Sequence, residues 1–481
     1  MKAYIFYIII SINIISILNL EFLQNKELDK ESKQSNSLKV TELFNSKTHK
    51  IKDIEGKEAD ISLFDRVSSI VSFKGPNNEH IIIGGLGARD KSKDYPYDDS
   101  YLEKNCIIRS ADGGKTWTAL TPKGKTDRKV YGLSTNNKGV VIAVTGDRGH
   151  PCILSSTDYG LTWKVALSNK DLGTKKSLYN SYYSKSRDLF LIPTGDYTYT
   201  TRDGIHFEKG EYSLLLARNG YSIDELDEIW CSSAFGGSVL SVLRKGAKKY
   251  EIVLEGEKGY SFSTLKYLGK GIFITIAYGY PGGNSTIYYS TSFVRKNNVL
   301  YLTIPNHNLS KGMVTMNIKK SSPMYSTMQN GLDFEVVDKN KIKMYQVGPD
   351  IDISYVKVEI RIYKDENMVK ARFYKSTDYG KTWKQTSFRG ATYTSGIVWS
   401  RDIIHMGNGL VYMNIPGHEN KPEYECAMFV KSNNYGDTLE VTNDIVGENN
   451  EKLNAIYRSV VDIDGTILSG AQNYCRVLKI Q

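Results

Sequence analysis

From about residue 60 onward, apolar residues recur in short runs with the two-residue period of half-buried strands. SIVSF, HIIIGGLGAR, CIIRS, CILS and ARFYKS are examples. Almost no stretch there carries the 3.6-residue period of an amphipathic helix, so the pattern predicts an all-β body over residues 56–481. The start of the chain reads differently. Residues 2–20 place one Lys before a nearly continuous apolar run, and the polar stretch EFLQNKELDKESKQSNS follows. This predicts a secretory signal or an uncleaved signal anchor over residues 1–22 and a polar segment over 23–55. The apolar run is about 18 residues, barely enough to cross a bilayer. No clear A-x-A cleavage site follows it.

One octapeptide recurs along the β body. Residues 110–117 read SADGGKTW, 156–163 read STDYGLTW and 376–383 read STDYGKTW. A weakened copy, SNNYGDTL, occupies 432–439, and a shorter one, TRDGIHF, occupies 201–207. The residue types are those of a tight turn. The Asp (Asp112, Asp158, Asp378) can accept backbone N–H groups a few residues on. The Gly (Gly114, Gly160, Gly380) reaches positive φ without steric cost. The Trp can pack back under the turn and pin it to a sheet.

Composition narrows the function classes. The 481 residues are 40% hydrophobic and 24% charged, a globular balance that excludes a multi-span membrane protein, a collagen and a disordered chain. The 34 Tyr suit half-buried sheet faces. Net charge is +10, but Lys is spread along the chain without a long basic run, and no nucleic-acid motif is present. The five Cys and seven His show no metal-ligand spacing, so neither a metal nor a cofactor is expected. One disulfide is compatible with an oxidising compartment.

The octapeptide resembles the Asp-box, or bacterial neuraminidase repeat, of the sialidase superfamily. The resemblance implies a six-bladed β-propeller. The copies starting at 110, 156 and 201 are evenly spaced, at a plausible length for a four-stranded blade. The gap from 201 to 376 is far longer than one such step, and a small β insertion at 298–358, between blades, is expected to fill it.

Function must come from a site, since the Asp-box itself is a turn. Sialidases are similar to one another in three Arg that hold the substrate carboxylate, an acid Asp, and a Tyr nucleophile assisted by a Glu. The chemistry explains the choice. Guanidinium groups bind carboxylates bidentately and stay charged. A neutral Tyr avoids repulsion by the substrate's carboxylate, but its pKa near 10 demands a base. The resemblance assigns Arg66, in DRVSSI, as the first Arg. It assigns Asp98 or Asp99, in the loop before the first Asp-box, as the acid. Glu228 and Arg244, at the two ends of one hairpin, become the Glu and the second Arg. Tyr393, in ATYTS, becomes the nucleophile, and Arg361, upstream of it in VEIRIYKDEN, the third Arg.

The leading expectation is therefore a secreted or cell-surface exo-α-sialidase with a retaining mechanism, acting on sialylated glycans or glycoproteins. The alternative is a non-catalytic Asp-box propeller that binds glycans or proteins at the cell surface. Convergence of Arg66, Arg244 and a third Arg at one end of the central channel separates the two.

Overall fold

The computed structural model describes residues 38–62, 64–88, 106–123, 129–146, 151–173, 178–194, 197–210, 221–232, 239–247, 249–256, 260–279, 285–290, 293–296, 299–303, 314–318, 334–338, 340–344, 358–363, 372–389, 402–415, 428–444, 453, 456–471 and 474–481. Their strands form nine sheets, and seven of these succeed one another along the chain as blades; their strands are antiparallel except in the sixth, where Ser387–Arg389 adds a parallel edge beside Thr438–Asp444. The inner strands of the blades are Phe64–Lys74, Val130–Thr135, Tyr182–Ser184, Tyr221–Ile223, Tyr260–Gly269, Ile403–Gly407 and Ile456–Val461. The first inner strand packs against both the second and the seventh, and the fifth and sixth pass the contact on toward the seventh. The rings of Tyr182 and Tyr221, 4.7 Å apart, join the third blade to the fourth. The sheets therefore close into a β-propeller.

Closure uses the two ends of the body. In the seventh blade the outer strand is Val40–Asn45, hydrogen-bonded to Arg476–Ile480. Within that pair the Arg476 guanidinium donates to Glu42 at 2.8 Å, both side chains being almost fully buried. Glu42 also accepts from the Asn45 amide at 2.9 Å. A buried ion pair needs such additional partners to offset desolvation.

The octapeptides sit where the third strand of a blade turns to the outer one. In the first, Ser110 Oγ donates to Asp112 at 2.8 Å and accepts the Gly114 N–H at 2.8 Å. Asp112 also accepts the Thr116 N–H at 2.9 Å and its hydroxyl at 2.6 Å. The Trp117 indole donates to the Gly114 carbonyl at 3.0 Å. The copies at 156 and 376 repeat this network, and Asn434 replaces the Asp in the sixth blade. In the shortened copy the His206 ring takes the place of the Thr hydroxyl on Asp203, at 2.6 Å.

Glycine is required in these turns for two reasons. Gly160 and Gly380 have φ of +78° and +73°. A Cβ on Gly160 would lie 2.3 Å from Ile83 in the first blade, and one on Gly380 would lie 2.2 Å from the Trp230 ring in the fourth. Each Asp-box thus presses its Gly onto the preceding blade, so the turn also cements neighbouring sheets.

Three expectations change. The described strands form seven blades rather than the expected six, and the fourth and seventh carry no octapeptide. In the fourth blade the corresponding turn is the plain hairpin after Leu243, and in the seventh the outer strand comes from the other end of the body. For the same reason residues 40–45 belong to the propeller, which therefore begins ahead of residue 56. The insertion consists of two small sheets with strands from Ser285–Ser290 to Val358–Tyr363. It does not separate two blades. It interrupts the fifth blade, whose second strand Ile272–Gly279 pairs directly with its third, Arg372–Ser376.

Candidate functional site: the two faces and the axis

Strand direction assigns every residue to an end of the ring. In an antiparallel four-stranded blade, the first turn and the third turn lie on one face. The first blade shows this directly, since His80, where the second strand begins, bridges to Asp112 of the Asp-box. The connections from second to third strand, and from one blade to the next, leave the opposite face. The insertion leaves from that opposite face, since it interrupts the connection between the second and third strands of the fifth blade.

Arg66 lies near the start of the first inner strand, paired with Gly87, while the other end of that strand pairs Lys74 with His80. Eight residues at about 3.3 Å each put Arg66 roughly 25 Å from the Asp-box face. Its guanidinium Nε donates to Asp65 at 2.8 Å, and both side chains are buried. The neighbouring Cys475 thiol is driven upward by burial and by Asp65, against the pull of Arg66.

Glu228 and Arg244 are brought together, but on the Asp-box face. Glu228 precedes the second strand of the fourth blade, Ile229–Ser232, and Arg244 follows the third, Val239–Leu243. Arg244 donates through Nη1 to Glu228 at 2.6 Å and through Nε to Glu251 at 3.0 Å. It also stacks 5.6 Å from the Trp230 ring, the ring that receives Gly380 of the next Asp-box. Partial burial lowers the guanidinium pKa, and the hydrogen bonds to Glu251 and Glu228 more than reverse this, so it rises. Two carboxylates already neutralise this cation.

The anion-holding triad is therefore not assembled: Arg66 and Arg244 stand at opposite ends of the ring. Arg361 lies in the middle strand of an inserted sheet, between Ile287 and Thr315, and its side chain falls outside the described residues. Asp98, Asp99 and Tyr393 also lie outside them. So does the segment 1–22; among the described residues no helix is long and apolar enough to cross a membrane.

A cavity of about 220 Å³ occupies the axis, and all seven inner strands contribute to it through Ser69, Leu133, Tyr182, Tyr221, Lys266, Ile403 and Arg458. At its wall Arg458 Nη1 donates to Asp402 at 3.0 Å, and the Ser459 N–H donates to the other carboxylate oxygen at 3.0 Å. Burial raises the Asp402 pKa against the pull of Arg458. Burial lowers that of Lys266, with Asp402 acting in the other direction. Asn180 Nδ2 donates to the Tyr182 hydroxyl at 2.6 Å. Sequence reading passed over these residues because a single charge inside a short apolar strand resembles a solvated strand face. The available signal was Lys266 inside the strand-like run YSFSTLKYLG.

Among the described residues, no group of His, Cys, Asp and Glu could hold a metal ion. The four described cysteines, Cys106, Cys152, Cys231 and Cys475, are buried, and no disulfide joins them to one another.

No family model matches the chain. An uncharacterised protein of Bacillus subtilis, YkuO, is 41% identical over 71 residues, which is 15% of this chain. The chain spans 22% of the length of that relative. Among solved structures, YCF48 bound to D1 peptide is similar over 92% of this chain and 95% of that one, with a TM-score of 0.43 at 12% identity. A protein of unknown function from Dyadobacter fermentans covers 92% and 99%, with a TM-score of 0.37 at 12% identity. A GH74 xyloglucanase from Xanthomonas campestris covers 92% and 99%, with a TM-score of 0.32 at 9% identity. The β-propeller assignment rests on the strand topology itself.

Proposed function

We propose that this protein is a non-catalytic Asp-box propeller that binds acidic glycans outside the cytoplasm, through the face opposite its Asp-boxes. The observation that carries this reading is the placement of Arg66 and Arg244 at opposite ends of the ring. Sialidase chemistry needs three guanidinium groups on one carboxylate. Here one is folded onto Asp65, and another lies between Glu228 and Glu251 on the wrong face. The net charge of +10 favours an anionic partner. The longer connections, which in propellers vary without disturbing the sheets, supply the binding face.

The test uses the purified chain in two assays. Incubation with a fluorogenic sialoside is expected to give no turnover. A glycan array is expected to show sialylated or sulfated glycans retained over neutral ones, with retention falling as salt rises. Turnover of the sialoside would restore the enzymatic reading, and equal retention of neutral glycans would remove the acidic-glycan reading.

A further inference from the structure

The axial cavity holds two hydrogen-bond donors without acceptors. Lys266 lines it, and its ammonium makes no hydrogen bond or ion pair with another described residue. The Tyr182 hydroxyl already accepts from Asn180 Nδ2, so its own hydrogen is left to donate, and no described residue accepts it. Several other polar groups on the same wall have partners. Ser181 pairs with Ser134 at 2.7 Å and Ser459 with Ser469 at 2.7 Å. The Arg458 fork is engaged by Asp402. Both residues are part-buried in the cavity wall, where an ammonium and a hydroxyl are best served by an acceptor within the cavity.

The charges are also out of balance. Among the described lining residues, Lys266 and Arg458 face one carboxylate, Asp402, so the described wall carries one more positive than negative charge. We propose that the axial cavity is a binding site for a compact hydrophilic monocarboxylate, with Lys266 and Tyr182 as its two donors. One negative charge closes the balance, and two carboxylate oxygens match two donors. A water occupies about 30 Å³ of liquid. The cavity of about 220 Å³, partly open to solvent, has room for several waters and so for a three-carbon hydroxy acid. An inorganic phosphate dianion overshoots the charge. The proposal goes beyond the glycan reading, since it concerns the axis rather than the open face.

The experiment titrates the purified chain calorimetrically with four probes: lactate, its neutral isostere lactamide, inorganic phosphate and chloride. Lactate is expected to bind at least tenfold more tightly than lactamide, and more tightly than phosphate or chloride. Lys266→Met, close in shape but uncharged, is expected to weaken lactate at least tenfold and leave lactamide unchanged. Tyr182→Phe is expected to weaken lactate several-fold. Unfolding by heat monitors the fold of each variant, and Lys266→Arg serves if Lys266→Met fails to fold, because it keeps the charge and retains lactate. Equal binding of lactate and lactamide, or lactate binding unchanged in both Lys266→Met and Tyr182→Phe, overturns the proposal. Preference for phosphate overturns the carboxylate class. None of these outcomes bears on glycan retention, so the two readings fail separately.

Discussion

Glu42 and Arg476 lie 434 residues apart in the chain and 2.8 Å apart in the structure. Their contact is the electrostatic part of the closure that ties the strand Val40–Asn45 to the seventh blade. Arg476→Ala leaves Glu42 buried beside Asn45 without its cation. The expected loss is about 3–5 kcal/mol, the usual effect of breaking a buried pair from one side. Chemical denaturation with and without the substitution measures it. A loss below about 1 kcal/mol would show that the strand pairing alone closes the ring.

Gly380 offers a sharper test of the Asp-box as cement between blades. Its φ of +73° strains any L side chain, and the added methyl would meet Trp230 at 2.2 Å. Gly380→Ala is expected to cost at least about 2 kcal/mol. Gly246, with φ +79° and no atom within 4 Å of the added methyl, isolates the backbone term. Gly246→Ala is expected to cost about 1 kcal/mol. Equal melting temperatures for the two variants would show that the contact between blades contributes nothing.

Acid stability follows from the same turns. Burial pushes Asp112, Asp158 and Asp378 upward, but the Thr hydroxyl and N–H and the Ser hydroxyl outweigh it, and all three fall below the usual 3.8. Lys479 and Thr466 similarly outweigh burial at Asp464, which falls to about 2. For groups lowered in the folded chain, the stabilisation is complete above their unfolded pKa and is lost as pH falls through the folded one. Melting temperature is therefore expected to drop progressively below about pH 4. Asp378→Asn keeps the shape and removes the titration, so its melting curve is expected to depend less on pH in that window.

Arg244→Ala probes the face assignment. Its partners are partly exposed, so a loss of about 1–2 kcal/mol from the ion pairs and the Trp230 stack is expected. Glycan retention is expected to stay unchanged, because the residue sits on the Asp-box face. A selective loss of retention with the fold intact would move the binding surface to that face.

The thiols report on the core. Burial raises the Cys231 pKa to about 12 and raises that of Cys475 further, against small opposing effects. Thiolate is the reactive form. Cys231 and Cys475 are expected to resist alkylation at about pH 8 in the native chain and to react once it is unfolded. Mass spectrometry of labelled peptides reads this residue by residue.

Much of the scaffold was legible in the amino-acid sequence. The octapeptide works through contacts within its own length, so Ser110, Asp112, Gly114 and Trp117 declare their turn wherever the rest of the chain goes. Blade number was not legible, because a blade without the octapeptide is only four short strands, and because Val40–Asn45 pairs with a strand from the far end of the chain. The site was read least well. Hairpin spacing put Glu228 and Arg244 at one rim, where their side chains meet, yet which face a hairpin presents depends on strand count from the start of its blade. Lys266, Asp402 and Arg458 meet only because separate blades converge on one axis.

The detour inside the fifth blade carries a practical consequence. Two extra sheets are spliced between strands that still pair, Phe273 with Ser376 and Ala277 with Arg372. The ring accepts grafted sequence at that junction without a change of register. The same kind of junction recurs in the other blades, which makes this face the place to display a foreign loop or a reporter. The Asp-box face, where each turn is wedged against its neighbour, is where such cargo would pry the blades apart.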